Sequence, residues 1–381
     1  MKLNKTMGRV ATTLVATAML ASVAVVPAFA EGDAQFPGTT DPATKNYTVT
    51  MTKNLTMDEN LYQPTETFTF DVDPYIHGEE ETHEVIEGIP VSDGVPGGVE
   101  VGNAVFTTGT TVQTSANVTI TVKKDSFSKA GIYKYTLSEN TGANANVDYD
   151  NSTKYLYVYV KNDDTNTDVV IYGVVVKDYT TSEGVVTVGE KSSTFENVYG
   201  EVDGDPVLHN VTLTKTLSGD GANLQQEFPF TISITNTTSD NQVFKIWNDA
   251  DKDTMMDEGE VSTIVANGEG ATYQLGKDET VKIFGLRDGD TYSISEGNMS
   301  GKNDNKTADG YTVKINNEED ADGVITATLA EDDGDDISVT YDNGRTSVSP
   351  TGIVMDIAPY ALLVVVAAAG CFVFMRKRRE D

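Results

Sequence analysis

The chain has almost no cysteine: one residue among 381, Cys371, which lies in an apolar segment close to the C-terminus. Disulfide bonds therefore cannot stabilise the rest of the chain. Only three histidines are present, so a histidine-based triad or a thiol protease is poorly supported. The sequence also lacks a convincing amphipathic helix longer than three turns. We therefore expect strands to form most of the fold.

Basic residues are scarce as well. There are 27 lysines and arginines against 59 aspartates and glutamates, which gives a formal net charge of −32. Such a surface repels nucleic acid and anionic lipid and keeps a protein soluble. The charge therefore predicts no nucleic-acid partner.

The first 30 residues have the pattern of a secretory signal peptide. Lys2, Lys5 and Arg9 precede an apolar run from Val10 to Val26, and the small-x-small pattern Ala28-Phe29-Ala30 follows. This run is too short, and its flank is wrong, for a helix that spans a bilayer. We therefore predict export, with cleavage after Ala30.

The C-terminal segment 347–381 has a different pattern. Residues 353–375 form an apolar stretch with a single charge, Asp356, and four basic residues follow at 376–379. The length is sufficient for one transmembrane helix, and the basic residues favour the cytoplasmic side. The pattern predicts that the precursor is held outside the cell by one C-terminal membrane segment.

The region between these segments indicates an all-β fold. Short runs rich in Thr, Val, Ile, Tyr and Phe alternate with Gly, Asn and Asp turns, as is typical of β-sandwiches. We predict a flexible leader at 31–43, a first domain at 44–200, a linker at 201–206 and a second domain at 207–346.

Three short motifs occur twice and in the same order, which supports the division into two domains. The repeated patterns are VTMTKNL at 49–55 and VTLTKTL at 211–217, YTLSE at 135–139 and YSISE at 292–296, and FEN at 195–197 and YDN at 341–343. Each motif carries one polar residue in phase with an apolar strand face, because residues two apart on a strand share a face. The polar residues are Lys53, Glu139 and Asn197 in the first domain, and Lys215, Glu296 and Asn343 in the second.

Burial of these residues together would have a chemical consequence. Desolvation lowers the pKa of a lysine and raises that of a glutamate, so both can be neutral at pH 7. A neutral amine beside a carboxamide is a nucleophile beside an electrophile, and a protonated glutamate can assist the transfer of protons. The motifs thus predict one Lys–Asn isopeptide bond per domain, with loss of ammonia. The alternative is that each polar residue marks a strand end in solvent, a reading that the repeated order disfavours.

The motifs resemble those of the isopeptide-linked pilin domains of Gram-positive bacteria, the FctA-type major pilins with two domains. The resemblance extends over nearly all of 45–343. It implies two tandem immunoglobulin-like (CnaB/FctA-like) β-sandwiches, with the bonded lysine and asparagine on the first and last strands. It also implies the pairs Lys53–Asn197 and Lys215–Asn343, each assisted by its glutamate, and no required cofactor.

The C-terminal segment is similar to a sortase sorting signal. Pro350, Thr351 and Gly352 precede the apolar span and the basic tail, so a sortase would cleave between Thr351 and Gly352. The leucine of the common L-P-x-T-G pentapeptide is missing, which leaves the sortase class open. The resemblance implies attachment to peptidoglycan or to neighbouring pilin subunits on a Gram-positive surface.

Polymerisation would also require a lysine that accepts the threonine of the preceding subunit. In FctA-like pilins the acceptor lies a few residues before the asparagine of the first domain. Lys191 matches that position best and Lys177 is second. The alternative for Lys191 is an ordinary solvated charge.

Two other segments could bind metal ions. Positions 1, 3, 5, 9 and 12 of a calcium loop are occupied by Asp249, Asp251, Asp253, Asp257 and Glu260. The carbonyl of Met255 is available at position 7, but Thr254 replaces the usual glycine at position 6. Calcium and a solvated acidic loop remain alternatives. For His77 and His83 we expect a mobile acidic loop rather than a transition-metal site.

The sequence as a whole predicts a pilus shaft subunit that modifies itself once per domain and is not an enzyme with turnover. The principal alternative is a wall-anchored adhesin that displays a surface for a host ligand. A surface hydrolase is a third class, and we identify no converging acid and base groups for it.

Overall fold

The structure is a computed structural model that describes residues 38–347, apart from 80, 82, 183–184, 237–240, 300–305 and 321. The predicted signal peptide and the sorting segment with its span at 353–375 lie outside the described residues. Among the residues described, no helix is long and apolar enough to cross a bilayer.

The prediction of an all-β fold is confirmed. Helical geometry in the described chain is limited to three short 3-10 turns, at Lys124–Ser126, Glu258–Glu260 and Glu331–Asp333. The strands of the N-terminal half are β1 Thr39–Thr40, β2 Tyr47–Met57, β3 Glu66–Phe68, β4 Phe70–Pro74, β5 Val85–Ile86, β6 Ile89–Asp93, β7 Val99–Val101, β8 Ala104–Phe106, β9 Ser115–Val122, β10 Gly131–Glu139, β11 Val147–Asp148, β12 Thr153–Asn162, β13 Val169–Ser182, β14 Val185–Lys191 and β15 Thr194–Tyr199. Those of the C-terminal half are β16 Glu201–Val202, β17 Asp205–Pro206, β18 His209–Ser218, β19 Phe228–Thr235, β20 Val243–Asp249, β21 Val261–Val265, β22 Ala271–Leu275, β23 Thr280–Leu286, β24 Thr291–Glu296, β25 Thr312–Ile315, β26 Glu318–Glu319, β27 Val324–Thr328 and β28 Asp336–Gly344.

Two sheets form the N-terminal sandwich. One has the strand order β11-β15-β2-β9-β7, with β1 beside β2. The other has the order β14-β13-β12-β10-β6-β5, with β4 beside β10. Buried side chains from both sheets pack in one hydrophobic cluster, which is the core of this sandwich.

The C-terminal half repeats this arrangement with a second core. One sheet has the order β21-β20-β23-β18-β28-β25-β26, and the facing sheet has the order β22-β19-β24-β27. The two halves are therefore both β-sandwiches, as the resemblance implied.

The first long strand and the last strand of each sandwich are direct, parallel neighbours. In the N-terminal sandwich β2 pairs with β15, and Leu55 lies opposite Asn197. In the C-terminal sandwich β18 pairs with β28, and Leu217 lies opposite Asn343. In both pairs the lysine precedes that leucine by two residues. The lysine and the asparagine therefore lie on the same face, with an offset of two residues along the strands.

Two segments differ from the sequence-based expectation. The predicted leader 31–43 contains Thr39 and Thr40, which pair with β2 and extend its sheet. The predicted linker 201–206 is a hairpin of β16 and β17, because Asp203 and Gly204 both adopt positive φ, as a two-residue turn requires. Local turn chemistry thus gives the junction a definite conformation.

Candidate functional site

The first cluster consists of Lys53, Glu139 and Asn197, and it lies between the two sheets of the N-terminal sandwich. Lys53 and Asn197 come from the adjacent strands β2 and β15, whereas Glu139 is the last residue of β10 in the facing sheet. The alternating pattern of β2 directs Lys53 into the core in the same phase as Val49. The lysine and the asparagine are completely buried.

One carboxyl group contacts both other members of the first cluster. Lys53 Nζ lies 2.7 Å from Glu139 Oε2. Asn197 Nδ2 donates a hydrogen bond of 2.5 Å to Glu139 Oε1. The amine and the amide nitrogen are therefore bridged by the two oxygens of a single side chain.

The amide oxygen of the first cluster also has a partner. The backbone N–H of Asp150 donates a hydrogen bond of 2.7 Å to Asn197 Oδ1. The side chain of Asp150 in turn accepts a hydrogen bond from the backbone N–H of Glu196. The carboxamide is thus held at both its nitrogen and its oxygen, which fixes the orientation of the carbon between them.

Burial shifts both titratable groups of the first cluster towards their neutral forms. Desolvation lowers the pKa of Lys53, although its contact with Glu139 opposes the shift. Desolvation raises the pKa of Glu139 against the opposing effect of Lys53. These are the directions that a nucleophilic amine and a proton-donating acid require.

The second cluster consists of Lys215, Glu296 and Asn343 in the C-terminal sandwich. Lys215 and Asn343 lie on the adjacent strands β18 and β28, and Glu296 ends β24 in the facing sheet. All three are buried. Asn343 Nδ2 donates a short hydrogen bond to Glu296 Oε1, as Asn197 does to Glu139.

The second cluster differs from the first at its lysine and at its amide oxygen. Lys215 Nζ donates to the carbonyl oxygens of Thr216 and Tyr341, at 3.2 and 3.3 Å. Neither Glu296 Oε2 nor Asn343 Oδ1 has a hydrogen-bond partner in the described chain. Burial lowers the pKa of Lys215 to about 8 and raises that of Glu296.

Phenylalanines form part of the wall of each cluster. The Nζ atoms of Lys53 and Lys215 lie 5.0 and 4.7 Å from the ring centroids of Phe68 and Phe228, respectively. Two residues later in the sequence, Phe70 lies opposite Glu139 in the β4–β10 register. These rings exclude water and so contribute to the desolvation that shifts both pKa values.

The aromatic arrangement of the second cluster follows the same plan. Phe230 lies opposite Glu296 in the β19–β24 register. Its ring contacts Tyr341 at a centroid distance of 5.0 Å, as Phe70 contacts Phe195 at 5.2 Å in the first sandwich. The shared signal is Phe-x-Phe, at 68–70 and 228–230, which our sequence analysis missed as part of the site.

Asp150 is the other functional candidate that sequence analysis missed. It acts through its backbone N–H, a group that every residue except proline carries, so the side chain gives no direct signal. Its position in the turn after β11 brings it beside Asn197. Only the three-dimensional arrangement identifies it.

Two further lysines are buried but have different surroundings. Lys134 Nζ lies 3.7 Å from the ring centroid of Tyr155 and 3.5 Å from Glu84 Oε2. Lys154 Nζ lies 2.5 Å from Asp178 Oδ1. No asparagine carboxamide is recorded as a partner of either amine in the described chain, so burial alone does not define the site.

Lys191, the predicted intersubunit acceptor, is the last residue of β14, and it is exposed. Strand β14 lies at the edge of its sheet. Lys177, the second candidate, pairs with Lys191 in the β13–β14 register and is half-buried. An exposed residue at the edge of a sheet can be approached by another chain.

The residues predicted for a calcium loop are only partly brought together. Carboxylate oxygens of Asp249, Asp251 and Asp253 lie within 4.8 Å of one another. Asp257 and Glu260 are outside that group. Glu260 instead accepts hydrogen bonds from Trp247 Nε1 at 2.9 Å and from the backbone N–H of Ala250 at 3.0 Å.

We expected His77 and His83 to lie on a mobile loop. For their two rings this expectation is wrong, because both rings have partners. His77 Nδ1 lies 2.5 Å from Asp93 Oδ1, and His83 Nδ1 lies 3.0 Å from the carbonyl oxygen of Val91. The ring centroids are 4.1 Å apart. Strand β6 holds both rings, because Val91 and Asp93 are members of that strand.

Comparison with known families divides the chain at the same junction. Residues 49–200 match the family described as the Spy0128-like isopeptide containing domain (FctA). Residues 209–344 match a family described only as a domain of unknown function (DUF7601). Each match contains one complete cluster.

Two curated proteins are similar in sequence. A protein named "Pilin" from Streptococcus pyogenes serotype M1 is 25% identical over 346 residues, which cover 87% of this chain and 90% of the relative. A protein named "Pilus tip adhesin Cpa" from Streptococcus pyogenes is 30% identical over 152 residues, or 40% of this chain and 19% of that protein.

Solved structures of major pilins share the fold. A single-site variant of the major pilin from Streptococcus pyogenes has a TM-score of 0.51 and 17% identity, with 79% of this chain and 99% of that chain covered. The T3.2 major pilin from the same species has a TM-score of 0.50 and 17% identity, with 78% and 97% covered. At this level of identity the likeness concerns the fold alone.

The lowered pKa of Lys215 predicts a dependence of stability on pH. In an Asn343→Ala variant, where this lysine has no carboxamide to attack, the free energy of unfolding should rise from pH 8 to about pH 9.5. The pKa of Lys215 falls from its ordinary value of 10.5 to about 8 in the folded chain. The unfolded chain therefore holds more protons in this window, and higher pH favours folding. We expect a gain of about 1 to 2 kcal/mol in urea unfolding followed by circular dichroism.

The matched control is Lys215→Met in the same Asn343→Ala background, which should lose this rise. The window ends below pH 10 because tyrosines begin to ionise there. Stability that is flat or falls between pH 8 and about 9.5 in Asn343→Ala would contradict the lowered lysine pKa.

Proposed function

We propose that this chain is a structural subunit of a surface pilus shaft. The premise is that it is an FctA-type isopeptide pilin in its motifs and its fold. In this proposal each sandwich forms one internal Lys–Asn bond, and a sortase joins successive subunits. The self-modification takes place once per domain, with no turnover and no cofactor.

One observation carries the proposal. A buried carboxyl group contacts the carboxamide nitrogen of an asparagine in each sandwich, and in the first it contacts the lysine amine as well. If the polar residues only formed ordinary ion pairs at strand ends, nothing would require the two sandwiches to carry the same three residue types on equivalent strands. The duplicated geometry therefore favours a shared chemical role over simple stabilisation.

The reaction that this geometry supports is a transamidation. The neutral amine of Lys53 attacks Cγ of Asn197, the new Nζ–Cγ bond forms, and the Cγ–Nδ2 bond breaks to release ammonia. Glu139 is placed to take a proton from the attacking amine at Oε2 and to supply one to the departing nitrogen at Oε1. The carboxyl group ends in its original state, so atoms and charge balance.

The backbone N–H of Asp150 has a distinct role in this reaction. Negative charge develops on Asn197 Oδ1 when the amine adds to the carbon, and a donor already positioned there stabilises it. Asn343 Oδ1 has no such donor in the described chain. We infer that the first bond forms faster than the second.

The isopeptide bonds would supply the covalent cross-links that disulfide bonds cannot provide in this chain. They would join the first and last strands, so that tension applied at the two ends of a sandwich bypasses residues 54–196 or 216–342. By analogy with disulfides, closing loops of this length would add roughly 5 kcal/mol through the unfolded state. A fibre exposed to shear outside the cell needs this resistance.

Assembly in this proposal uses the sorting signal. A sortase cleaves between Thr351 and Gly352 and transfers Thr351 to Lys191 of the next subunit, or to peptidoglycan for the last one. The precursor is exported with cleavage after Ala30 and held by the C-terminal membrane segment until transfer. The product is a polymer anchored to the wall of a Gram-positive cell.

A wall-anchored adhesin is the second candidate. The observation in its favour is the 30% identity of a 152-residue region to a protein named as a pilus tip adhesin. In that case the sandwiches would display a surface for a host ligand, and the chain would go directly to peptidoglycan. The two candidates share the internal bonds and differ in polymerisation.

Intact mass measures the internal bonds directly. The folded wild-type chain should have lost two ammonia molecules, whereas Glu139→Ala and Glu296→Ala should each have lost one. The reason is that each carboxyl group serves only its own cluster. Electrospray mass spectrometry of the purified chains provides the measurement.

A matched control separates this chemistry from general effects of buried lysines. Lys134→Met removes a buried amine that has tyrosines rather than a carboxamide beside it, so both losses should remain. A folded wild-type chain with its full calculated mass would contradict the proposal.

The two bonds should also form in a definite order. In a time course that starts from denatured chain in which neither bond has formed, the species that lacks one ammonia should carry the Lys53–Asn197 bond. An absent oxyanion donor typically slows such reactions by about 100-fold or more. Peptide mapping of that species identifies the bond, and a Lys215–Asn343 bond there would contradict the role given to Asp150.

Polymerisation can be tested on wall extracts of cells that express the chain with its sortase. Wild type should give a ladder of covalent multimers on denaturing gels, because Lys191 is an exposed acceptor. Lys191→Arg should reduce the ladder to one anchored species, whereas Lys177→Arg should retain it. A single anchored species from wild type would favour the adhesin instead.

A further inference from the structure

The loop at 249–260 lies outside both clusters and concentrates negative charge. It begins at the last residue of β20 and leads to β21 in the C-terminal sandwich. Carboxylate oxygens of Asp249, Asp251 and Asp253 lie within 4.8 Å of one another. Like charges at this distance repel unless a cation lies between them.

Asp249 provides an independent indication of a ligand. Its side chain belongs to the cluster, yet the residue is only 5% exposed. Its Oδ1 atom is buried and has no hydrogen-bond partner among the described residues. A buried carboxylate oxygen without a donor is strongly unfavourable, so this atom points to a bound cation.

No nearby lysine supplies the missing charge. Lys252 lies within the loop, but its Nζ is 3.4 Å from Glu279 Oε1 and the side chain is partly exposed. Among the described residues, no lysine or arginine forms an ion pair with any of the three aspartates. Asp251 and Asp253 each accept one backbone N–H hydrogen bond within the loop, whereas Asp249 Oδ1 has no hydrogen-bond partner among the described residues, so a cation from solution is the available partner for that atom.

The backbone of the loop turns sharply at two residues with positive φ. Thr254, at the sixth position, has φ of +63°, in the region where calcium loops usually place glycine. Lys252 has φ of +66°. The departure from glycine noted in the sequence therefore does not prevent the loop from adopting this turn.

Glu260 has a different role from the one its position in the sequence predicts. It accepts hydrogen bonds from Trp247 Nε1 and from the backbone N–H of Ala250, and so it closes the base of the loop. The oxygen set that the structure brings together is that of the three aspartates, and water would complete the shell of a bound cation. All of these are oxygen ligands, which suit a hard cation and not zinc or copper.

We propose that the loop at 249–260 holds a calcium site, with Asp249, Asp251 and Asp253 as its protein ligands. The shell is built from carboxylates and water at a surface loop, which is typical of extracellular modules with dissociation constants on the order of 10⁻⁴ to 10⁻³ M. Occupancy stabilises the C-terminal sandwich, because the ion binds the folded loop and not the unfolded chain. The site is independent of the isopeptide bonds and of polymerisation.

The full chain contains a native reporter for this site. Trp247 is the only tryptophan in the sequence, and its indole N–H is bonded to the glutamate that closes the loop. Titration of the purified full-length protein with CaCl₂ should change its tryptophan emission with a saturable curve. Isothermal titration calorimetry should give one site per chain, and the melting temperature should rise with calcium concentration.

Variants in the same loop make the test specific. Asp251→Asn and Asp253→Asn should weaken binding by about tenfold or more, because each removes one ligand charge and keeps the shape. Glu258→Gln removes an exposed charge from the same loop outside the three ligands and should bind as wild type does. The same amount of MgCl₂ should give a much smaller response, since Mg²⁺ demands stricter geometry.

Three results would overturn the proposal. They are the absence of saturable binding at millimolar CaCl₂, equal weakening by Glu258→Gln and Asp251→Asn, and equal responses to calcium and magnesium in all variants. The last two would mean that the acidic surface only attracts divalent cations in general. Circular dichroism of each variant without calcium checks that the chain is folded.

Discussion

The structure depends on one contact made twice: a buried carboxyl group that reaches from one sheet to a carboxamide on the facing sheet. For Glu139 to reach Asn197, the two sheets must pack face to face, and β2 and β15 must be parallel neighbours in register. The same holds for Glu296 and Asn343 with β18 and β28. The topology of each sandwich thus serves to bring three polar groups together in a dry interior, where their ordinary charge states are unfavourable.

Burial destabilises the unbonded cluster and would favour the proposed reaction. A charged lysine in an apolar wall is costly, and this desolvation lowers the pKa of Lys215 to about 8. Transamidation removes the titratable amine altogether and replaces it with a neutral amide. A chain with no usable disulfide would in this way convert an electrostatic liability into a covalent tie between its first and last strands.

Much of this arrangement could be predicted from sequence, and the rest could not for definite physical reasons. Period-two alternation placed Lys53, Lys215 and their partners on apolar faces, and the structure buries all of them. The sheet from which each glutamate comes depends on long-range strand order, which alternation does not encode. The role of Asp150 rests on a backbone N–H, so its side chain gave no signal of that role. The hairpin at 201–206 did have a sequence signal, the Asp203-Gly204 pair, because this dipeptide favours the two positive φ angles of the turn. The structure also holds His77 and His83 in place through Asp93 and Val91, which lie 16 and 8 residues further along the chain on strand β6.

The most direct test of the account is peptide mapping of the folded wild-type chain by tandem mass spectrometry. The account predicts two branched peptides, one that joins Lys53 to Asn197 and one that joins Lys215 to Asn343. Linear peptides that contain these lysines and asparagines unmodified, from a chain that is demonstrably folded, would contradict it.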